Sequence, residues 1–200
     1  MSTDFWNDRY KSADYAYGRE PNEFLKAEAH RIPKGRVLCL AEGEGRNAVF
    51  LASLGHDVTA VDFSAEGIRK TEALAKERSV KVSTVRADLS NYEIEPNVYT
   101  GIVAIFAHVP PAVRARIHTA VTKGLQLGGV YVLEAYTPEQ IPFNTGGPKD
   151  PALLMTLEGL RAELAPLTFD IGRECTRTVT EGLYHTGEAA TVQIVAKRTL

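Results

Sequence analysis

Cysteine is nearly absent from this 200-residue chain. Its two thiols, Cys39 in an apolar run and Cys175 far downstream, make no disulfide framework, so the fold must rest on a packed core. Charge of one sign is also missing. Lys and Arg number 23 against 25 Asp and Glu, a net charge of -2 with no basic cluster, which excludes the electrostatic footprint of a nucleic-acid binder. No apolar run approaches the roughly 18 residues needed to cross a bilayer, and the opening MSTDFWNDRYK lacks the apolar centre of a secretory signal. The expectation is a cytoplasmic protein without a membrane partner. Histidines at ligand spacing are lacking too. His30, His56, His118 and His185 are scattered and expected to be ordinary surface or core histidines, so no metal site is expected.

What is present is 44% apolar residues, enough for one domain with a sizeable core spanning residues 1–200. Residues 36–40 are a short apolar run bounded by Lys34-Gly35 and by Ala41-Glu42-Gly43-Glu44-Gly45, a buried strand entering a glycine-rich turn. Helix composition follows over 47–54, then a second strand over 58–61 ending in Asp62. Strand, glycine turn, helix, strand and acid form the first unit of a doubly wound sheet, which binds its ligand across the carboxyl ends of its strands. Gly43 and Gly45 can take positive φ and let a ligand approach the backbone. Asp62 has two oxygens suited to ribose hydroxyls. Glu42 and Glu44 would repel a pyrophosphate, and they favour a ligand with a ribose, a positive centre and no phosphate, such as S-adenosylmethionine.

GEGRNAVFLA followed by VTAVDFS resembles the first two motifs of class I S-adenosylmethionine-dependent methyltransferases, in particular the small group related to tellurite-resistance and thiopurine methyltransferases. The likeness runs from Tyr17-Gly18-Arg19-Glu20-Pro21-Asn22 to the C-terminal strand. It implies a seven-stranded, mostly parallel α/β sheet with an antiparallel C-terminal hairpin. It also implies a cofactor site of Ala41, Glu42, Gly43, Gly45, Asn47, Asp62, Phe63, Asp88, Leu89 and Phe106. Within that site the loop 41–45 would wrap the methionine part and Asp62 would bind the ribose. Asp88 would take the adenine amine, and Leu89 would lend its amide. Cys39 stands where the family's first strand carries an acid, which moves the partner of the cofactor's ammonium partly onto Glu42. Asp88 has a second reading as a turn residue.

The arm of residues 1–30 is rich in aromatics, which normally cover a surface. It either packs over the sheet edge or closes the crevice. The resemblance implies the latter, with Trp6, Tyr10, Tyr17 and Asn22 as acceptor contacts. A helical stretch is expected over 23–31, a helix capped by Ser64 over 64–76, strands over 80–85 and 101–106, and a helix opened by Pro110-Pro111. His108 follows the strand 101–106 at the ligand-binding rim, where an imidazole would orient the acceptor or take its proton; the other reading is a half-buried histidine bonded to backbone. Residues 125–129 are expected as a turn into a strand over 130–136 that ends in Tyr136 at the same rim. The segment 138–151 is expected to wall the acceptor pocket. A helix over 153–164 and two strands over 169–184 and 189–197, joined by a turn at 185–188, complete the expectation. The arginines of the penultimate strand are expected to be solvated.

The reaction expected is methyl transfer from S-adenosylmethionine to a small-molecule acceptor, a thiol or chalcogen compound by resemblance, in a monomer or weak homodimer. The competing readings are a nicotinamide-dependent oxidoreductase and a non-catalytic S-adenosylmethionine-binding module.

Overall fold

The computed structural model describes residues 3–199; Met1, Ser2 and Leu200, part of the expected domain span, lie outside the described residues. Seven strands form one sheet: β1 (Arg36–Leu40), β2 (Asp57–Asp62), β3 (Val82–Arg86), β4 (Tyr99–Ile105), β5 (Leu125–Tyr136), β6 (Leu167–Glu181) and β7 (His185–Arg198). Their order is β3-β2-β1-β4-β5-β7-β6. β7 runs antiparallel to both β5 and β6, and the β1–β2, β1–β4, β2–β3 and β4–β5 pairs are parallel. The seven-stranded α/β architecture with its antiparallel end is therefore as expected.

Among the described residues six α-helices accompany the sheet: α1 (Thr3–Tyr10), α2 (Glu23–Glu28), α3 (Arg46–Ser53), α4 (Ala65–Glu77), α5 (Pro111–Gly124) and α6 (Leu157–Glu163). Period-2 alternation of the central strands supplies both faces with apolar matter. Leu38, Leu40, Ile102 and Leu133 join Ile117 and Val121 of α5 and Leu160 of α6 in one core. Val37, Cys39, Val103 and Val132 join Leu25 of α2 and Leu51 of α3 in the other. Among the described residues no helix is long and apolar enough to cross a membrane.

Several boundaries differ from the sequence expectation. Residues 125–129 extend β5, because Leu125 pairs with Tyr99 across a register shift in β4. The stretch 23–31 is α2 followed by a 3-10 turn, Ala29–Arg31. The helix expected over 153–164 begins only at Leu157, where Thr156 accepts the Gly159 N–H as its cap. The hairpin turn lies at Gly182, Leu183 and Tyr184, with Glu181 paired to His185, so the expected turn residues 185–188 are the start of β7.

The sheet order reverses between β1 and β4, and ligands of open α/β sheets bind at such a switch point. Ala41 directly after β1 and Phe106 directly after β4 both have positive φ, 50° and 53°. Left-handed backbone at residues other than glycine costs ~1–3 kcal/mol and clusters at functional sites.

Candidate functional site

A cavity of about 940 Å³ opens over the C-terminal ends of β1, β2, β4 and β5, at the upper end of the range for small-molecule sites. Of the residues expected at the cofactor, Ala41, Glu42, Gly43, Asn47, Asp62, Phe63, Asp88 and Phe106 line it. Asp62 is held rigidly: one oxygen accepts the Gly43 N–H and the other the Ser64 N–H, both at 2.8 Å. Burial raises its carboxyl above the usual range while those backbone donors oppose the shift. Each oxygen keeps a further lone pair for a ligand hydroxyl.

Glu42 has a job within the fold. Its Oε1 accepts the N–H groups of Asn47 at 3.0 Å and Ala48 at 2.8 Å, satisfying the first turn of α3, whose N-cap Gly45 has no side chain to offer. Burial pushes its carboxyl up to about 7, against the pull of those N–H groups and of Arg46. Glu44 is neutralised by Lys70, Nζ to Oε1 at 2.7 Å with both side chains buried.

One expected cofactor residue does other work. Gly45 does not line the cavity. Its φ is 91°, and a Cβ there would lie 2.7 Å from the Cα of Thr71, so this glycine lets α3 cross α4 closely. The Leu89 side chain joins the core, while its neighbours Asp88 and Ser90 face the cavity.

The arm forms the roof. Trp6, Tyr10 and Tyr17 all line the cavity, and their rings stand 5.4 to 6.4 Å apart. α1 is anchored by Asn7, whose Oδ1 accepts the Ser64 hydroxyl at 2.7 Å at the start of α4. The Tyr10 hydroxyl sits so close to Gly43 that a Cβ there would meet it at 2.8 Å. Farther on, the arm meets the β6–β7 hairpin. The Leu183 N–H donates to the Ala16 carbonyl at 2.9 Å, and a Cβ on Gly182 would lie 2.4 Å from the Gly18 nitrogen.

Asn22, expected in the acceptor pocket, is instead fully buried outside it. Its Oδ1 caps α2 through the Leu25 N–H, and its amide donates to Glu134 at 2.6 Å and Glu181 at 2.9 Å. The same two carboxylates receive Arg177, at 2.8 Å and 3.1 Å, so this arginine is locked inside rather than solvated. Glu181 also takes Arg46 at 2.5 Å. Burial works against the Arg177 charge, but the two carboxylates outweigh it and hold the guanidinium protonated.

His108 and Tyr136 reach the cavity as expected, but the imidazole has no nitrogen to spare. Its Nδ1 is 2.9 Å from the Leu153 carbonyl and its Nε2 is 3.3 Å from the Tyr136 N–H. Since Nε2 must accept there, Nδ1 carries the proton and donates. Burial lowers its pKa to about 4. The structure therefore supports the backbone-bonded reading of His108, not the base. The residues 144–149 line the cavity, so the long loop after β5 does form a wall.

Sequence reasoning missed four residues of the lining, Arg9, Arg46, Tyr184 and His185. The His185 ring lies 4.5 Å from Tyr17 and 4.6 Å from Phe106. Burial, then the nearby Arg46 charge, lowers its pKa to about 3. For Arg46 a signal existed, since it follows the glycine loop directly; for His185 the misplaced turn hid it. Among the described residues no group of three or more His, Cys, Asp or Glu is placed to hold a metal.

Residues 37–129 match a family described as a methyltransferase domain. No curated protein matches the chain. Among solved structures, a protein studied in the conversion of a disulfide bond into a thioacetal group during echinomycin biosynthesis has a TM-score of 0.77 at 16% identity, over 98% of this chain and 89% of that one. TehB from Haemophilus influenzae has a TM-score of 0.72 at 19% identity, over 98% of this chain and 67% of that one. An S-adenosylmethionine-dependent methyltransferase from Methanosarcina mazei has a TM-score of 0.71 at 18% identity, over 90% and 99%. At these identities the likeness is one of fold.

Proposed function

We propose, from the match of residues 37–129 to a methyltransferase domain, that this chain uses S-adenosylmethionine to methylate a small molecule held between the arm, Tyr136 and the β6–β7 hairpin. The observation that carries this reading is the lining of one cavity: the carboxylates of Glu42, Asp62 and Asp88 share it with the rings of Trp6, Tyr10, Tyr17, Phe106 and Tyr136 and with Arg9, Arg46 and His185.

The acidic group fits S-adenosylmethionine. It offers carboxylate oxygens for ribose hydroxyls at Asp62 and for an exocyclic amine at Asp88, and a carboxyl at Glu42 beside which an ammonium would favour the ionised form. When bound, the cofactor supplies an electrophilic methyl group on a cationic sulfur. The chain's own contribution is alignment and exclusion of water. Trp6, Tyr10 and Tyr17 roof the site, and the rings of Phe106 and Tyr136, 4.6 Å apart, form its floor.

A strong base is not among the groups described, since His108 is committed to backbone. An acceptor that is nucleophilic without one, a thiolate or chalcogen anion, suits such a site best. The enclosed roof and the absence of a basic groove favour a small acceptor over nucleic acid, acted on by a monomer or weak dimer.

The test is calorimetric titration with S-adenosylmethionine, S-adenosylhomocysteine and NAD, followed by a methyl-transfer screen of thiols, selenium and tellurium oxyanions, amines and phenols. Micromolar binding of the first two, about -8 kcal/mol, with turnover on a small acceptor is expected. Turnover confined to a peptide or nucleic acid would overturn the small-acceptor reading.

A further inference from the structure

Arg46 and His185 share an unusual condition. Arg46 begins α3, and its side chain is 92% buried (8% exposed). Its Nη2 is bound to Glu181, while its Nη1 is buried with no hydrogen-bond partner. His185 begins β7, is 8% exposed, and has an Nδ1 that is also buried without a partner. Both residues line the same cavity. A buried donor left unpaired costs ~1–3 kcal/mol, more when charged, and native proteins tolerate few of them.

The surroundings say what would complete the pair. Glu181 is shared by Arg46, Arg177 and Asn22. It therefore fixes the Nη2 edge of the Arg46 guanidinium and leaves Nη1 without a partner in a side chain that lines the cavity. Neutral His185, close enough to feel the Arg46 charge, can offer an Nδ1–H as a second donor. Two fixed donors, one cationic, match the oxygens of a carboxylate. Three rings surround the imidazole: Tyr17, Phe106 and Tyr136 stand 4.5, 4.6 and 5.4 Å from it, inclined at 52°, 73° and 84°. Rings in such an array favour a planar partner.

We propose that Arg46 and His185 form the anion anchor of the acceptor subsite, and that the acceptor is a planar organic molecule carrying a carboxylate. The assignment rests on the reading of the cavity given above. Glu181 is its positioning residue, and the carboxylate is a handle distinct from the atom that is methylated.

Benzoate and its neutral isostere benzamide are the probes, titrated into the protein with and without saturating S-adenosylhomocysteine. Benzoate should bind at least tenfold more tightly than benzamide, and sulfate at equal concentration should not displace it. The preference should disappear in Arg46→Lys, which keeps the charge opposite Glu181 but has no second edge. It should also weaken in His185→Phe, which keeps a ring among the aromatics; circular dichroism checks that both variants are folded.

Equal binding of benzoate and benzamide to the parent overturns the proposal. So does displacement by sulfate, which would mark a bare anion site, or an unchanged preference in both variants. A second anion, the cofactor's own carboxylate, is separated by comparing S-adenosylmethionine with 5′-methylthioadenosine, which lacks the amino acid. If Arg46→Lys weakens only the former and leaves benzoate binding intact, the anchor belongs to the cofactor and the proposal fails. Loss of cofactor binding by the parent would instead remove the methyl-transfer reading, while the cofactor-free benzoate arm still decides the anchor.

Discussion

Replacing Glu42 by Gln should change how stability depends on pH. In the folded protein the Glu42 carboxyl is raised to about 7 from an ordinary 4.5, chiefly by burial, so the folded state holds this proton more tightly than the unfolded chain does. The associated stability is fully present below about 4.5 and is lost as pH rises to about 7. At ~1.36 kcal/mol per pH unit, that interval corresponds to about 3 kcal/mol, an upper figure because the half-buried side chain lines the cavity, where solvent screens it. Gln keeps an oxygen to accept the Asn47 and Ala48 N–H groups and does not titrate. The stability of the parent minus that of Glu42→Gln should therefore fall by up to about 3 kcal/mol between pH 4.5 and 8. Urea titrations of both proteins at several pH values measure this difference, in which all other titrating groups cancel. Parallel curves, within ~0.5 kcal/mol, would refute the assignment of a neutral Glu42 in the folded chain below pH 7.

Asp62→Ala removes the acceptor of two backbone N–H groups, each bond to a charged group being worth ~1.5–3 kcal/mol; both thermal stability and cofactor affinity should drop, the latter at least tenfold. Unchanged affinity in a titration would place the ribose elsewhere. Gly45→Ala should cost about 2–5 kcal/mol in denaturant unfolding, from left-handed strain and the clash with the Thr71 backbone. A loss below ~1 kcal/mol would show that α3 and α4 separate easily. Gly182→Val should push the hairpin off Gly18, speeding hydrogen exchange in residues 3–18 while the central strands stay protected. Equal protection throughout would show that this contact does not hold the arm.

The local order of the first half of the fold was legible because its signals are local. The runs at 36–40 and 58–61, the glycines between them and the acid at Asp62 each reflect contacts within one strand-helix-strand unit, and the pairing of β1 with β2 follows. The ring of acids at the strand ends, and the aromatics of the arm, came from the same kind of reading. The second half depends on distant partners. Gly182 and Gly187 both have positive φ and either suits a turn; the docking of Gly182 onto Gly18 selects the first, and with it carries His185 from a loop into a strand facing the cavity. Asn22 and Arg177 looked like a pocket residue and a solvated one because Glu134, which binds both, is distant in sequence from each. Which histidine keeps a free nitrogen was likewise a tertiary decision. Leu153 lies 45 residues beyond His108 and Tyr136 lies 28 beyond. Sequence sets which groups a residue brings to the rim; only the packing of distant elements consumes some of those groups and leaves others open to a ligand.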